Sequence, residues 1–453
     1  MQYFKPSDPF FVGDCMPFFH QGEFRLYYLL DENHHQSLGG LGGHQWAHAS
    51  STDLVNWDHH PLAIPITHDW EGSICTGSVF HHQGTYYGYY ATRMPDRKQH
   101  LSLATSTDGI KFEKVQPNPL ASPIQGYDPH HYRDPVVFCD GGVFHMLVTA
   151  KLTNYPVEDR GGCLAHLMSN DLQNWEVVDP FFVPGELTVP ECPDYFEWSG
   201  WYYLIFSTFG VAHYRVSKNP FGPWETPAID TFDGPVARVL KTAEFSGNRR
   251  LGVAFLGTRQ DNKDDGRLQY AGHAVFREII QYPDGSLGTR FPLEMIPKTG
   301  EMLDLPFRPL TSATFKQEDR IYLAARQGLE VGMLTDVPEN VRITMQIVPK
   351  SNSESFGLRL KGSGNFESGY LLRLSPYERS VDLNGQSILN VEGLDHSCRL
   401  EVVLRDDIID VCVDDRRCLV NRCPGLSGNR LFFFCRNGQV IFQDLQVSPL
   451  SSN

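Results

Sequence analysis

Long apolar runs are missing from this chain of 453 residues. No stretch approaches the ~20 consecutive apolar residues of a membrane-spanning helix. The first residues, MQYFKPSDPFFVGD, also lack the basic segment and the following apolar run that mark a secretory signal peptide. We therefore expect a soluble protein that resides in the cytoplasm.

Positive charge is scarce as well. Lys and Arg together number 39 against 54 Asp and Glu, which gives a net charge of −15. No cluster of basic residues is present that would follow a phosphate backbone. The composition thus argues against nucleic acid and anionic membranes as partners and favours a small neutral substrate.

Closely spaced cysteine pairs are absent. The ten cysteines include no C-x-x-C pair, which is the usual element of a structural zinc site. Disulfide frameworks are typical of short secreted chains, and this chain is long. We expect free thiols and no structural metal.

Aromatic residues, glycine and proline are abundant. The chain has 29 Phe, 19 Tyr and 7 Trp, together with 40 Gly and 30 Pro, and it shows little helical periodicity. This mixture favours many short strands joined by turns. The length indicates two domains.

A short phrase recurs through the first half of the chain. It reads STDLVNW at 51–57, STDGIKF at 106–112, SNDLQNW at 169–175 and, more loosely, SKNPFGPW at 217–224. Repeats of this length that carry strand-like runs are typical of β-propeller blades. The alternative is that Ser-x-Asp reflects only turn chemistry, which occurs in any β protein.

Aromatic-rich runs lie between these copies and predict the inner blade strands. They are FRLYYLL (24–30), TYYGYYA (85–91), VFHMLVTA (143–150) and WYYLIFST (201–208), and a fifth unit is expected over about 230–290. Beyond residue 310 the strands alternate between apolar and charged residues, as in a β-sandwich. The prediction is an all-β chain with a five-bladed β-propeller over 1–300 and a C-terminal β-sandwich over 310–453.

Three carboxylates interrupt apolar or proline-flanked segments in different predicted blades. They are Asp14 in VGDCMP, Asp134 in YRDPVVF and Glu191 in VPECPDYF. Propeller strands converge on a central channel, so the three side chains can meet there. Glycoside hydrolysis needs two carboxyl groups beside the scissile bond. A third carboxylate, Asp134, would stay ionised beside Arg133 and hold sugar hydroxyls.

Each of these residues also has a structural interpretation. Asp-Pro is a common turn opener, and neighbours such as Arg133 and Asp134 point to opposite faces of a regular strand. Taken alone, Glu191 is equally compatible with a structural and a catalytic role. The argument for catalysis depends on the three carboxylates together.

Aromatic and histidine side chains near these motifs are further candidates. Trp46, Trp70 and Tyr127 are predicted to stack on a sugar ring, although core packing explains most Trp and Tyr side chains. Histidines form adjacent pairs, of which 130–131 is expected to border a pocket. The others, including 34–35, are expected at the surface or in turns.

Four segments taken together resemble glycoside hydrolase family 32, the group of β-fructofuranosidases, invertases and levanases. WAHASSTDLVNW resembles the W-G-H-A-x-S-x-D-L-x-x-W segment of that family, and YRDPVVF and PECPDYF resemble its R-D-P and E-C-P motifs. GSICTGSVF, which contains Thr76, resembles its S-G-S segment and makes Thr76 a candidate sugar contact.

This resemblance implies a five-bladed propeller with an appended sandwich and a retaining mechanism. It implies that Glu191 is the general acid/base and that Asp134 is the transition-state stabiliser. The nucleophile is implied to lie in the first blade. The mechanism needs two carboxyl groups and water, so we expect no metal or organic cofactor.

The nucleophile motif of the family, N-D-P-N-G, is altered here. Asp8 in SDPFF and Asp14 in GDCMP are both candidates. Asp14 is favoured because the strand FRLYYL begins ten residues after it, at nearly the family spacing. Gly13 replaces the Asn that precedes the nucleophile, and Leu29 stands where the following strand usually carries Gln. These differences predict an altered fructosyl site.

The predicted activity is that of a retaining glycoside hydrolase. It would release or transfer terminal β-fructofuranosyl units from sucrose-like oligosaccharides or fructans through a covalent intermediate on Asp14. One alternative is an inverting propeller enzyme that acts on arabinofuranosides. Two others are a carbohydrate-binding protein that has lost catalysis and a propeller used as a protein-interaction platform.

Overall fold

The computed structural model describes residues 3–350 and 353–451. These residues form 32 β-strands, one single-turn helix α1 (Ser37–Gly40) and two 3₁₀ turns, Gln260–Asn262 and Leu293–Met295. The all-β prediction is confirmed. The outer limits of the two predicted domains, residues 1 and 453, lie outside the described residues. In the described part of the chain, no helix has the length and apolar character that crossing a bilayer requires.

Twenty strands build the propeller. In chain order they are β1 (Tyr3–Phe4), β2 (Phe11–His20), β3 (Glu23–Asp31), β4 (Gln45–Ser51), β5 (Asp58–His59), β6 (Ser73–His82), β7 (Thr85–Arg93), β8 (Gln99–Ser106), β9 (Glu113–Lys114), β10 (Tyr127–Asp140), β11 (Val143–Leu152), β12 (Gly162–Ser169), β13 (Glu176–Phe182), β14 (Glu191–Trp198), β15 (Trp201–Thr208), β16 (Val211–Ser217), β17 (Ala237–Phe245), β18 (Arg249–Arg259), β19 (Leu268–Gln281) and β20 (Leu287–Arg290).

These strands form five antiparallel blades. Blades one to three are β2 to β5, β6 to β9 and β10 to β13, and blade four is β14 to β16. Blade five consists of β17, β18 and β19, and both β20 and the amino-terminal β1 pair with β19. The start of the chain therefore completes the last blade, which closes the ring.

The recurring Ser-x-Asp phrase is the turn between the third and fourth strands of a blade. In the first copy the Ser51 hydroxyl accepts hydrogen bonds from the backbone N–H groups of Asp53 and Leu54, at 3.2 and 2.8 Å. The same bonds recur in the second and third copies. Turn chemistry and blade repeat are thus two descriptions of one feature, because the first three blades use the same turn.

The aromatic-rich runs occupy a different position from the one predicted. They form β3, β7, β11 and β15, which are the second strands of their blades, whereas β2, β6, β10, β14 and β17 line the channel. The prediction of inner strands was wrong because the second strands are buried on both faces by neighbouring blades. A strand that is buried on both faces has a continuous run of apolar residues in its sequence.

All five channel-lining strands carry a β-bulge at an equivalent level. The pairing of each with its second strand is interrupted between Val12 and Cys15, Ile74 and Gly77, Arg133 and Val136, Glu191 and Asp194, and Arg238 and Lys241. Three bulge residues have positive φ: Asp134 at +57°, Cys192 at +51° and Val239 at +56°. A bulge redirects side chains, and here it turns five short segments towards one mouth of the channel.

Twelve further strands form the second domain. They are β21 (Phe307–Pro309), β22 (Thr314–Gln317), β23 (Arg320–Leu334), β24 (Val341–Lys350), β25 (Ser355–Ser363), β26 (Ser368–Ser375), β27 (Ser380–Leu383), β28 (Gln386–Ile388), β29 (Cys398–Arg405), β30 (Ile408–Val413), β31 (Arg417–Arg422) and β32 (Arg430–Pro449).

The long strand β32 joins the two layers of this β-sandwich. Its first part, 430–436, pairs with β25, and its last part, 439–449, pairs with β24. The two layers enclose a core of aliphatic and aromatic side chains from both. The propeller followed by a sandwich is the predicted architecture.

A buried ion pair connects the two domains. The Arg277 guanidinium, which is 0% exposed, donates to Asp233 of the propeller and to Asp410 of the sandwich, at 2.8 Å each. The Tyr3 hydroxyl also donates to Asp410, at 2.9 Å. The amino-terminal strand, the last blade and the sandwich thus share one polar cluster.

Candidate active site

A cavity of about 480 Å³ opens at the mouth of the channel where the five bulges meet. Each blade contributes bulge residues to its lining. From blades one to five these are Asp14; Cys75 and Thr76; Arg133 and Asp134; Glu191 and Cys192; Arg238 and Val239. Five of the residues predicted from sequence, including all three carboxylates, therefore lie around one space.

Asp14 is held from three directions. Oδ2 accepts a hydrogen bond from the Thr76 hydroxyl at 2.5 Å and faces the Cys192 thiol at 3.6 Å. Oδ1 accepts a hydrogen bond from the Tyr270 hydroxyl at 3.2 Å. Burial raises the pKa of Asp14, and the negative charge of Glu191 adds to this, while the Thr76 and Tyr270 hydrogen bonds oppose it. The carboxylate is thus fixed in place, with its protonation set by its neighbours.

Asp8, the other nucleophile candidate, lies outside the cavity. Its side chain is 86% exposed and pairs with Lys5 at 2.5 Å. The spacing argument for Asp14 and the geometry of the cavity point to the same residue.

Arg133 joins the other two carboxylates. Its Nη2 lies 2.6 Å from Oε1 of Glu191, and its Nε lies 3.4 Å from Oδ2 of Asp134. The backbone N–H of Cys192 also donates to Oδ2 of Asp134, at 3.1 Å. The bulge removes the strict alternation of the strand, so the adjacent side chains of Arg133 and Asp134 reach the same cavity.

The electrostatics of Asp134 combine opposing effects. Burial raises its pKa, Arg133 lowers it, and the nearby charges of Glu191 and Asp14 raise it further. Arg93, Arg238 and Arg267 also line the cavity, so the three carboxylates lie among several positive charges. Acid/base chemistry with two carboxyl groups requires that one of them carries the proton to be donated.

The predicted aromatic contacts are not part of this cavity. Trp46 is fully buried on β4, and its indole N–H donates to the carbonyl of Cys75 at 2.9 Å. Tyr127 is 8% exposed and packs in the core of blade three, and Trp70 stacks on His68 with ring centroids 6.0 Å apart. The structure corrects the assignments of Trp46 and Tyr127, which are buried, and places Trp70 outside the lining of the cavity, because sequence proximity to a motif does not determine which side of a blade a ring faces.

Several lining residues were not predicted. Tyr270, His44 and Arg93 carry no recognisable motif in sequence. The histidine pair 34–35, which was expected at the surface or in a turn, lines the cavity. The pair 130–131 does not line it, although His131 contacts Arg133 at 3.2 Å. These residues lie on strands or in loops and are placed by packing between blades, which leaves no local signal.

Within residues 3–350 and 353–451, no three His, Cys, Asp or Glu side chains converge in a way that would hold a metal ion. All ten cysteines, each within these ranges, carry free thiols, and only Cys139 is exposed.

Comparison with known protein families accounts for this arrangement. Residues 6–273, which span all five channel-lining strands, match the model described as the glycosyl hydrolases family 32 N-terminal domain. The chain belongs to glycosyl hydrolase family 32. The predicted family membership is thereby confirmed, and this family 32 protein is a glycosidase of the β-fructofuranosidase type.

Two curated relatives agree with this family, and a solved structure shares the fold. The chain is 25% identical over 451 residues to raffinose invertase from Escherichia coli, covering 91% of this chain and 87% of the relative. It is 30% identical over 415 residues to sucrose-6-phosphate hydrolase from Escherichia coli, covering 82% and 80%. The fold resembles fructan 1-exohydrolase IIa from Cichorium intybus with a TM-score of 0.75 at 16% identity, covering 99% and 97%.

Proposed function

We propose that this family 32 glycosidase releases or transfers terminal β-fructofuranosyl units of sucrose-like oligosaccharides or fructans, with retention of anomeric configuration. The observation that carries the proposal is the convergence of Asp14, Asp134 and Glu191 in one cavity. Two carboxyl groups on either side of a glycosidic bond are the requirement of the retaining mechanism.

In the first step Asp14 acts as the nucleophile. Its ionised carboxylate attacks the anomeric carbon of the fructofuranosyl unit while the bond to the leaving oxygen breaks. Glu191 donates its proton to that oxygen, so the leaving sugar departs as a neutral alcohol. The products of this step are a fructosyl ester on Asp14 and an ionised Glu191.

In the second step Glu191 acts as the base. It takes a proton from water, and the water oxygen attacks the anomeric carbon and breaks the ester to Asp14. Fructose leaves with its original anomeric configuration. A sugar hydroxyl in place of water gives fructosyl transfer by the same chemistry.

Asp134 and Arg133 bind the ring that reacts. The Asp134 carboxylate accepts hydrogen bonds from furanose hydroxyls, and the bulge and the Cys192 N–H hold it in place. Arg133 keeps negative charge on Asp134 and contacts Glu191 at 2.6 Å. The negative charge of Asp134, which is held in place before the reaction, stabilises the positive charge that develops on the sugar ring in the transition state.

The relatives support fructosylated substrates. They are named as enzymes for raffinose and for sucrose 6-phosphate. Gly13 and Leu29 both differ from the family pattern in the first blade, so sucrose, raffinose, 1-kestose, inulin and levan should be assayed side by side. Fructose release, measured chromatographically, identifies the preferred substrate.

Removal of either carboxyl function tests the proposal. We expect Asp14→Asn and Glu191→Gln to lower kcat by roughly 10²- to 10⁴-fold while circular dichroism and melting temperature stay near those of the wild type. Asp8→Asn is the matched control, because Asp8 is exposed and lies outside the cavity. Near-normal turnover in either active-site variant contradicts the proposal. Binding of fructans without hydrolysis by the wild type would instead support a carbohydrate-binding protein.

A further inference from the structure

Gly13 directly precedes the nucleophile and has no side chain where the family pattern carries Asn. Its backbone does not require glycine, since its φ lies outside the left-handed region. A Cβ atom at this position would lie 2.5 Å from the hydroxyl oxygen of Tyr270 and 3.0 Å from two of its ring carbons. The space beside residue 13 is therefore occupied by a tyrosine from another blade.

Tyr270 is held firmly in that space. It lies on β19 of blade five, and its ring packs against Phe255 and His44 with centroid separations of 5.1 and 5.2 Å. Its carbonyl oxygen contacts Nδ1 of His34 at 2.8 Å. These contacts restrict movement of the ring away from a side chain at position 13, and its remaining side lines the cavity.

The Tyr270 hydroxyl forms two hydrogen bonds with Asp14. It accepts one from the backbone N–H of Asp14 and donates one to Oδ1, both at 3.2 Å. Burial and the neighbouring Asp14 charge raise the pKa of Tyr270 well above its ordinary value, so the phenol remains a neutral donor. One side chain thus fixes both the backbone and the carboxylate of the nucleophile.

We propose that Tyr270 is the positioning residue of the nucleophile in this protein and that it forms an exchangeable pair with Gly13. A bulky residue at position 270 requires glycine at 13, and a side chain at 13 requires a small residue at 270. The catalytic meaning of the pair rests on the proposed function, in which Asp14 is the nucleophile. The steric relationship between the two positions is independent of that role.

The pair also affects the protonation of Asp14. Other groups that face Asp14 are Thr76 on β6, Asp134 on β10, Glu191 and Cys192 on β14, Cys15 on its own strand, and His44 before β4. Tyr270 and Thr76 both donate to the carboxylate and favour its ionised form. Loss of the Tyr270 hydroxyl therefore raises the pH at which the nucleophile ionises.

The first test is Tyr270→Phe, which keeps the ring and removes the hydroxyl. We expect kcat to fall about tenfold and the acid limb of the kcat–pH profile to move up by about one unit, with KM nearly unchanged. The matched control is Tyr203→Phe in blade four. It removes a buried tyrosine hydroxyl that donates to the Gly285 carbonyl at 2.9 Å and does not line the cavity. An acid limb at the wild-type position in Tyr270→Phe overturns the positioning role.

The second test exchanges the pair. We expect Gly13→Asn alone to lower both the melting temperature and kcat. The double variant Gly13→Asn/Tyr270→Ala should have a kcat about tenfold higher than that of Gly13→Asn, because the smaller residue at 270 makes room for the asparagine side chain at position 13. Its melting temperature should also be higher than that of Gly13→Asn. Wild-type stability and activity in Gly13→Asn, or a double variant no better than the single one, overturn the pairing.

These outcomes separate the inference from the proposed function. If the wild type releases no fructose from any β-fructofuranoside, the proposed function fails, whereas the melting temperatures of the exchange variants still test the pairing. If the wild type is active and Asp14→Asn is inactive, but Tyr270→Phe keeps the wild-type pH profile, only the positioning role fails.

Discussion

The Thr76 hydroxyl lies 2.5 Å from Oδ2 of Asp14, although the two residues belong to the channel-lining strands of different blades. The contact arises because β2 and β6 both bulge at the level of the cavity mouth. The Asp14 carboxylate is therefore stabilised by its neighbours around the ring rather than by its own segment. Its ionisation depends on how the blades are packed together.

Replacement of Thr76 should change the pH dependence of activity. Thr76→Val removes a hydrogen bond that lowers the pKa of Asp14, so the pKa of this buried carboxyl rises further. The ionised form of Asp14, the proposed nucleophile, then forms only at higher pH. We expect the acid limb of kcat/KM to move up by about one unit and activity on that limb to fall about tenfold.

Thr76→Ser is the control for this prediction because it keeps the hydroxyl. Its profile should coincide with that of the wild type. An unchanged acid limb in Thr76→Val would show that the hydrogen bond has no influence on Asp14.

Replacement of Arg133 should impair catalysis far more than folding. Arg133→Met leaves Glu191 without its partner at 2.6 Å and removes the charge that lowers the pKa of Asp134. We expect kcat/KM to fall by about 10²-fold or more. An Asp134 carboxyl group that keeps its proton no longer balances the positive charge that develops on the sugar ring in the transition state.

Arg215→Met is the matched control for Arg133. The Arg215 side chain is 11% exposed and pairs with Asp230 at 2.6 Å, outside the cavity. It should lose stability and keep its kcat/KM. Equal losses of kcat/KM in the two variants would refute a specific role of Arg133.

The anomeric configuration of the first product distinguishes retention from inversion. A covalent intermediate on Asp14 predicts that fructose is released in the β-furanose form before it mutarotates. Proton NMR spectra recorded within the first minutes of hydrolysis give the answer. Initial release of the opposite anomer would support the inverting alternative, including an arabinofuranosidase-type reaction.

The buried cluster between the domains should contribute to stability. Arg277→Met leaves Asp233 and Asp410 without the guanidinium that both contact, and burial already raises the pKa of Asp233 to about 6. We expect the free energy of unfolding at pH 7 to fall by about 3–5 kcal/mol.

The loss in Arg277→Met should be smaller at pH 4, because protonated aspartates need no positive partner. The variant Arg277→Met/Asp233→Asn/Asp410→Asn, which removes all three charges, should regain part of the stability at pH 7. Urea denaturation followed by tryptophan fluorescence measures all three proteins. If Arg277→Met were as stable as the wild type at pH 7, the role of the cluster in stability would be contradicted.

Thiol reactivity should report the packing of the channel. Cys139 is exposed and the other nine cysteines are buried, including Cys15, Cys75 and Cys192 near Asp14. Ellman's reagent should label one thiol per native chain and ten per unfolded chain. Cys139→Ser should abolish the native labelling and keep full activity. Rapid labelling of several thiols in the native protein would contradict this packing.

Features that depend on local chemistry could be predicted from the sequence. Turn residues at Ser51 and Asp53 bond to their own backbone, so the blade repeat is visible in the primary structure. Alternating and aromatic-rich runs specify strands without reference to neighbours. The order of Asp14, Asp134 and Glu191 along the chain, each in its motif, was sufficient to predict three carboxylates at one site.

The tertiary structure alone decided which side chains face that site. Second strands were mistaken for channel strands because burial on both faces gives a stronger apolar signal than lining a channel does. Trp46 and Tyr127 point into the blades, while Tyr270, from the opposite end of the propeller sequence, reaches Asp14. Such contacts exist only after five bulges converge and the ring closes, and no periodicity within a single strand encodes the direction in which a neighbouring blade presents its side chains.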